Sequence, residues 1–325
     1  MARSRPSLPP WLRAIVAFAL VAAGGLMLTE SAVAQTLKPV RVSEHAWYVL
    51  GDPGMASAAN QGFNSNAGFV VTRDSVIVID ALGTPPLGDA LVAAIRGVSD
   101  KPVKRVILTH YHADHFYGLA AFKALGAEVW AHEAGQEYFG SGEAAARLEQ
   151  RRKDLFPWVD ENTRLIQADR WLKGDTRFEE GGLHFRINIL GPAHAPEDLV
   201  LTVEEDGVVF CGDILFAGRI PFVGNADSKR WLAAIDTLVA LKPKVLVTGH
   251  GSHSTNAAAD LTLTRDYLLY LREQMGKAVE EMVPFEEAYA RTDWSRYSKV
   301  PAFEAANRIN AYGSYLTLER ESLAR

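Results

Sequence analysis

The sequence predicts an α+β protein with a sheet core covered by helices. Two observations carry this expectation. Short apolar, β-branched runs recur between Val40 and Val247 and alternate with stretches of helical spacing. From Ala257 onward the chain reads as helix almost throughout. Of 325 residues, 48% are hydrophobic and 22% charged, the balance of a globular chain. The net charge of −5, with no Lys/Arg-rich run, argues against a nucleic-acid surface.

The first 34 residues read differently from the rest. Arg3, Arg5 and Arg13 give a positive start, Ala14 to Leu28 is uncharged and mostly apolar, and Ala32-Val33-Ala34 offers small residues for cleavage. This is the pattern of a secretory signal peptide, cleaved to leave Gln35 first. The apolar run is shorter than the ~20 residues a spanning helix needs. The expectation is a periplasmic protein with no stable membrane insertion after cleavage.

Val40 to Leu50 reads as a strand and Gly51 to Asn66 as a long loop. Strands follow at Phe69–Thr72 and Val76–Asp80, a helix at Leu87–Val98, and a strand at Val106–Leu108 that runs into Thr109-His110. Leu119–Leu125 reads as helix, Glu128–Ala131 as strand, and the charged stretch Glu143 to Asp175 carries helix formers at Ala144–Asp154. Strands return at His184–Ile189, Leu199–Val203 and Val208–Cys211, the last two joined by the turn Glu205-Asp206-Gly207. Trp231–Leu241 is a helix capped by Asp227 or Ser228, and Val245–Val247 a strand. Residues 35–256 should form the core, and 257–325 a helical segment that completes and extends it. The lone Cys211 allows no internal disulfide.

The chemistry lies at the ends of these strands. His110-Tyr111-His112-Ala113-Asp114-His115 leaves a strand, and His110 and His112, two apart, can chelate one ion while Asp114 and His115 reach a second. Gly191-Pro192-Ala193-His194, Gly212-Asp213 and Gly249-His250 each place a metal-type ligand just past an apolar run. Imidazole and carboxylate together suit zinc, and also iron or manganese. Tyr111 between two of these histidines, and Arg219 shortly after Asp213, are candidate substrate contacts, Arg219 through a two-pronged grip on a carboxylate.

In this order the motifs resemble those of the metallo-β-lactamase superfamily, over roughly Val40 to Leu271. The resemblance implies a four-layer αβ/βα sandwich with the metals at one edge. It implies His110, His112 and His194 on a first zinc, Asp114, His115 and His250 on a second, and Asp213 bridging both. The implied activity is hydrolysis of an ester, thioester, lactone or amide of a small molecule by hydroxide generated at two zinc ions, with the second zinc or Asp114 helping the leaving group take a proton. Antibiotic-degrading members generally carry Cys or Ser where this chain has Asp213; a bridging Asp is the glyoxalase-II-like arrangement. Asn225-Ala226-Asp227-Ser228 and Phe303 to Arg308 resemble exported hydrolases found beside quinoprotein dehydrogenases and sulfur-oxidation genes, which implies a link to such a system. The alternatives are β-lactam hydrolysis, an iron-dependent persulfide oxidoreductase, and a non-catalytic binding protein on the same fold.

Overall fold

The computed structural model describes residues 35–224 and 226–324. The expected signal sequence and Asn225 lie outside the described residues. Twelve short strands form two sheets among the described residues. Sheet one contains β1 (Val40–Arg41), β2 (Ala46–Val49), β3 (Ala67–Val71), β4 (Val76–Ile79), β5 (Val103–Ile107), β6 (Glu128–His132) and β7 (Arg170–Leu172), side by side in chain order. It is antiparallel up to β4 and parallel from β4 to β7. Sheet two contains β8 (Thr176–Glu180), β9 (Leu183–Ile189), β10 (Leu199–Val203), β11 (Val208–Phe210) and β12 (Val245–Val247), with only β11 and β12 parallel.

The helices are α1 (Pro85–Arg96), α2 (Ala113–Phe116), α3 (Leu119–Ala124), α4 (Gly135–Gly140), α5 (Glu143–Asp154), α6 (Ser228–Ala240), α7 (Ala257–Glu280), α8 (Phe285–Arg291) and α9 (Phe303–Leu323). Local chemistry sets their starts. Thr84 caps α1 by accepting from the Leu87 amide, with Pro85 in the first turn, where its missing N–H costs nothing. The Asp227 carboxylate accepts from the Arg230 amide and caps α6.

Three apolar clusters define the layers. In β4, Val76 and Val78 face α1 and α3, while Ile77 and Ile79 face sheet two. This alternation with both faces buried is why β4 reads as an unbroken apolar run. The central cluster joins Val70, Ile77 and Ile107 of sheet one to Phe185, Leu201 and Phe210 of sheet two. The third packs Val200 and Val209 against Trp231, Ile235, Leu268 and Leu271 of α6 and α7, with α9 alongside. The order is therefore helix, sheet, sheet, helix, the four-layer sandwich. The C-terminal helices supply much of the outer layer on sheet two.

The charged stretch before Asp175, where helix was expected at Ala144–Asp154, also contains β7, and β8 follows directly; each is the edge strand of its sheet. Short edge strands need only one neighbour and carry charge on their open side, so the apolar signal fades. Arg170 in β7 spends its guanidinium on the face of Trp130, 4.3 Å from the ring centre. No described helix is long and apolar enough to cross a membrane.

Candidate metal centre

Five strands end at one edge of the sandwich and deliver their next residues there. β4 is followed by Asp80, β5 by Thr109 and His110, β9 by the turn to His194, β11 by Asp213, and β12 by His250. His112 caps α2, which places Asp114 in its first turn and His115 one residue on. The donors fall into two groups whose ligand atoms lie within 4.8 Å of one another: His110, His112, His194 and Asp213, then Asp114, His115 and His250. Asp213 touches both. Its Oδ2 is 3.2 Å from His194 Nε2 and 3.3 Å from His250 Nε2, and its Oδ1 is 3.3 Å from His115 Nε2. Gly249 makes room for it, because a Cβ there would sit 1.9 Å from Asp213 Oδ1.

The hydrogen bonds behind the rings fix which nitrogen is bare. His115 Nδ1 is 2.9 Å from Asp80 Oδ2 and donates there, so in the neutral, ligating ring Nε2 is the bare nitrogen. Thr109 gives its hydroxyl proton to the same oxygen at 2.9 Å, so it can only accept from His110 Nδ1 at 3.0 Å. His110 Nε2 is then also bare. His250 Nδ1 donates to the Asn64 carbonyl at 2.7 Å. Three lone pairs thus face two carboxylates. His110 Nε2, His115 Nε2 and Asp213 Oδ1 are buried with no hydrogen-bond partner. Acceptors facing acceptors in a buried space repel, and a divalent cation is the partner that fits them.

Burial and crowding shift the protonation of these groups in opposite directions. Burial, and then the neighbouring His115 ring, hold His110 well below the usual imidazole range. His112 is drawn down to about 3 by burial and by His194. Burial works against the charge on Asp213, yet His250 and His115 outweigh it and keep the carboxyl far below its ordinary value. His115 moves the other way: burial lowers it, but Asp213, Asp80 and Asp114 raise it more, so this negative pocket draws positive charge to its centre.

Four residues that the spacing did not single out complete the geometry. Asp80 orients two ring systems as described. Asn64 donates to Asp114 Oδ2 at 3.1 Å and Ser65 to the Asp114 carbonyl at 2.5 Å. Asn66 ties Gly51 to the carbonyls of Thr248 and Gly251. An acid just past an apolar run was the available signal for Asp80, the same one that marks Asp213. Asn64, Ser65 and Asn66 gave only a polar-loop signal.

Two expected substrate contacts sit differently. Tyr111 is fully buried, its ring packed edge-on against Phe116 and Phe139 at 4.9 and 4.8 Å. Alternation turns it away from its neighbours and into the aromatic core. Arg219 does line the chamber over the donors. Its end-on face, however, is taken by the loop: one terminal nitrogen donates to the Gly54 carbonyl at 3.0 Å and the other to Met55 Sδ at 3.5 Å. It lends positive charge there and anchors the loop. Cys211 faces the outer cluster, donates to the Val247 carbonyl, and is pushed up by burial, so it stays an unreactive thiol away from the donors. The chamber measures about 230 Å³, with Phe216, Phe222, Met55 and Tyr138 as its apolar walls.

The fold is a two-sheet sandwich with seven residues able to hold metal at one edge. The chain belongs to the metallo-β-lactamase superfamily, whose family model matches residues 60–250. A linear primary-alkylsulfatase from a Pseudomonas species is 24% identical over 243 residues, 63% of this chain and 46% of its own. A hydroxyacylglutathione hydrolase from Haemophilus influenzae is 28% identical over 162 residues, 48% of this chain and 72% of its own. A solved stereoselective inverting sec-alkylsulfatase from Pseudomonas matches with a TM-score of 0.65 at 19% identity, over 86% of this chain and 50% of its own. The chain spans about half the length of these alkylsulfatases.

Proposed function

We propose that this chain is an exported dinuclear zinc hydrolase that cleaves an ester or thioester of a small molecule. The observation that carries the reading is Asp213, a buried carboxylate within 3.3 Å of His115, His194 and His250, members of both donor groups. On this reading His110, His112 and His194 hold one ion, Asp114, His115 and His250 the other, and Asp213 spans the two. Ions held there supply a water acidified to near neutrality and a Lewis acid for the carbonyl oxygen. Asp80, Thr109 and Asn64 keep the imidazole lone pairs aimed inward. Asp114, steadied by Asn64 at the chamber floor, would take the proton released by the attacking water and pass it to the leaving group. Arg219 adds a positive field that favours an anionic substrate. Export and a periplasmic site of action rest on the reading of residues 1–34, and N-terminal sequencing of the exported protein tests them.

The test is a hydrolysis screen of the chain from Gln35 onward over thioesters, esters, lactones, sulfate esters and β-lactams, with metal content measured in parallel. The expected result is ~2 zinc per chain and thioester or ester turnover well above that of β-lactams. Asp213→Ala should lose metal and turnover together. Bound iron with oxygen consumption, or penicillin turnover exceeding that of simple thioesters, would overturn the assignment.

A further inference from the structure

Helix α5 turns one stripe toward the chamber, and two positions of that stripe are arginines. Arg147 and Arg151 are one helical turn apart, so they lie on the same face. Both line the chamber that also holds Asp114, Asp213 and His250. The third arginine of the helix behaves differently. Arg152 is bound by Glu149 and by the carbonyls of Asp160 and Thr163. The side chains of Arg147 and Arg151 make no ion pair and no hydrogen bond to any described residue, although Glu143 and Asp154 stand on the same stripe.

A helix that offers two unpaired guanidinium groups to a chamber presents ten N–H donors with no acceptor. Arginine is suited to planar, two-pronged binding of carboxylates. The remaining walls decide where such a group would sit. A neighbouring limb of about 340 Å³, reached past His112 and His194, is lined by Glu137, Glu197 and Asp227 and repels anions. Phe222 and Tyr138 give the chamber itself apolar wall. The chamber therefore combines metal donors with the two arginines of α5, flanked on the same stripe by Glu143 and Asp154, while the neighbouring limb carries acids and no Lys or Arg.

We propose that the substrate carries a carboxylate remote from the bond that is cut, and that Arg147 and Arg151 bind it while a short apolar stretch spans the gap to the metal donors. This rests on the hydrolase reading above and gives it a substrate class: acyl compounds with a free terminal carboxylate, held in one orientation because the acidic limb rejects that end.

The experiment separates this from hydrolysis itself by measuring binding. Calorimetry on the zinc-loaded chain compares glutarate with its monoamide, which keeps one carboxylate for the ions and replaces the other by a neutral amide. The expected result is roughly tenfold or more tighter binding of glutarate, since charge-assisted pairs are the strong ones. Arg147→Ala and Arg151→Ala should each shrink that preference, and the double variant should abolish it. Lys153→Ala removes the same charge from the opposite side of α5 and should leave the preference in place. The proposal is overturned if the unaltered chain shows no preference, if neither probe binds, if the preference survives in the double variant, or if Lys153→Ala erases it equally. If the preference stands and no acyl substrate is ever turned over, the hydrolase reading fails and the anion subsite remains.

Discussion

Replacing Asp80 by asparagine tests whether the donors are held in the ligating state from behind. Asp80 Oδ1 accepts the Thr109 amide at 2.8 Å, and Oδ2 accepts both the Thr109 hydroxyl and His115 Nδ1 at 2.9 Å. An amide has one acceptor and one donor end. With its oxygen toward the Thr109 amide, its NH₂ would face His115 Nδ1 and force the ring proton onto Nε2, where the lone pair is needed. The same NH₂ would donate to the Thr109 hydroxyl, which would then donate to His110 Nδ1 and move that proton inward too. With the amide reversed, its NH₂ would meet the Thr109 N–H, a buried donor against a donor that costs about 1–3 kcal/mol. Either way both metal positions suffer. Changes at groups that orient metal ligands typically cost about 10–100-fold in affinity, which is about 1.4–2.8 kcal/mol. The assay is zinc competition against a chromophoric chelator, with near-ultraviolet circular dichroism as the check on folding. A folded Asp80→Asn protein that binds two zinc ions with unaltered affinity would refute the proton-direction reasoning.

Two further outcomes follow from local geometry. Gly249→Ala would drive a Cβ into Asp213 Oδ1, so it should cost about 1–3 kcal/mol of stability and lower the metal content; calorimetry and metal analysis that found neither effect would refute the close approach. Asp206 accepts from Ser43 and from both the amide and Nδ1 of His45. Burial works to raise its pKa, and these bonds outweigh burial and lower it. A folded value below the unfolded value of about 3.9 adds stability that is complete above about pH 5 and lost as pH falls through 3.9 toward the folded value. Asp206→Asn should therefore flatten the dependence of Tm on pH between roughly 5 and 3 in the metal-free chain, and lower Tm at neutral pH by roughly 2–4 °C; an unaltered slope would sink the assignment.

Much of the fold was legible because its strands are buried on both faces or alternate cleanly. β10 and β12 begin and end where the apolar runs do, and Asp227 caps α6 as its position suggested. What escaped were elements whose stability comes from a neighbour. Arg170 and Thr176 open edge strands held by pairing and by aromatic faces, neither of which leaves a periodic trace. The seven donor residues were legible only as a set of four segments, each beginning past an apolar run, and the structure does bring them together. Their supports were not. Asn64 acts through its backbone carbonyl on His250 and its side chain on Asp114, and nothing local to Gly51–Asn66 says which distant atoms it will meet. Arg219 was found for its charge and misread for its geometry, since the Gly54 carbonyl that occupies it lies 165 residues earlier in the chain.

The division of donors between the sheets explains why that loop is built as it is. His110, His112, Asp114 and His115 follow β5 of sheet one, whereas His194, Asp213 and His250 follow β9, β11 and β12 of sheet two. Each donor group therefore draws on both sheets, and its spacing depends on how the sheets dock. Apolar packing between Val70, Ile77 and Phe210 supplies cohesion without direction. The loop supplies the direction. It leaves sheet one after β2 and returns at β3, and on the way Asn66 bonds the Thr248 and Gly251 carbonyls beside His250, while Asn64 bonds donors from both sheets. Trp158 fixes the far side of the loop through the Ala58 carbonyl at 2.8 Å, and Arg219 fixes Gly54. A segment held at so many points is a clasp between the sheets, and a shift at any of them moves donors on both sides of Asp213 together.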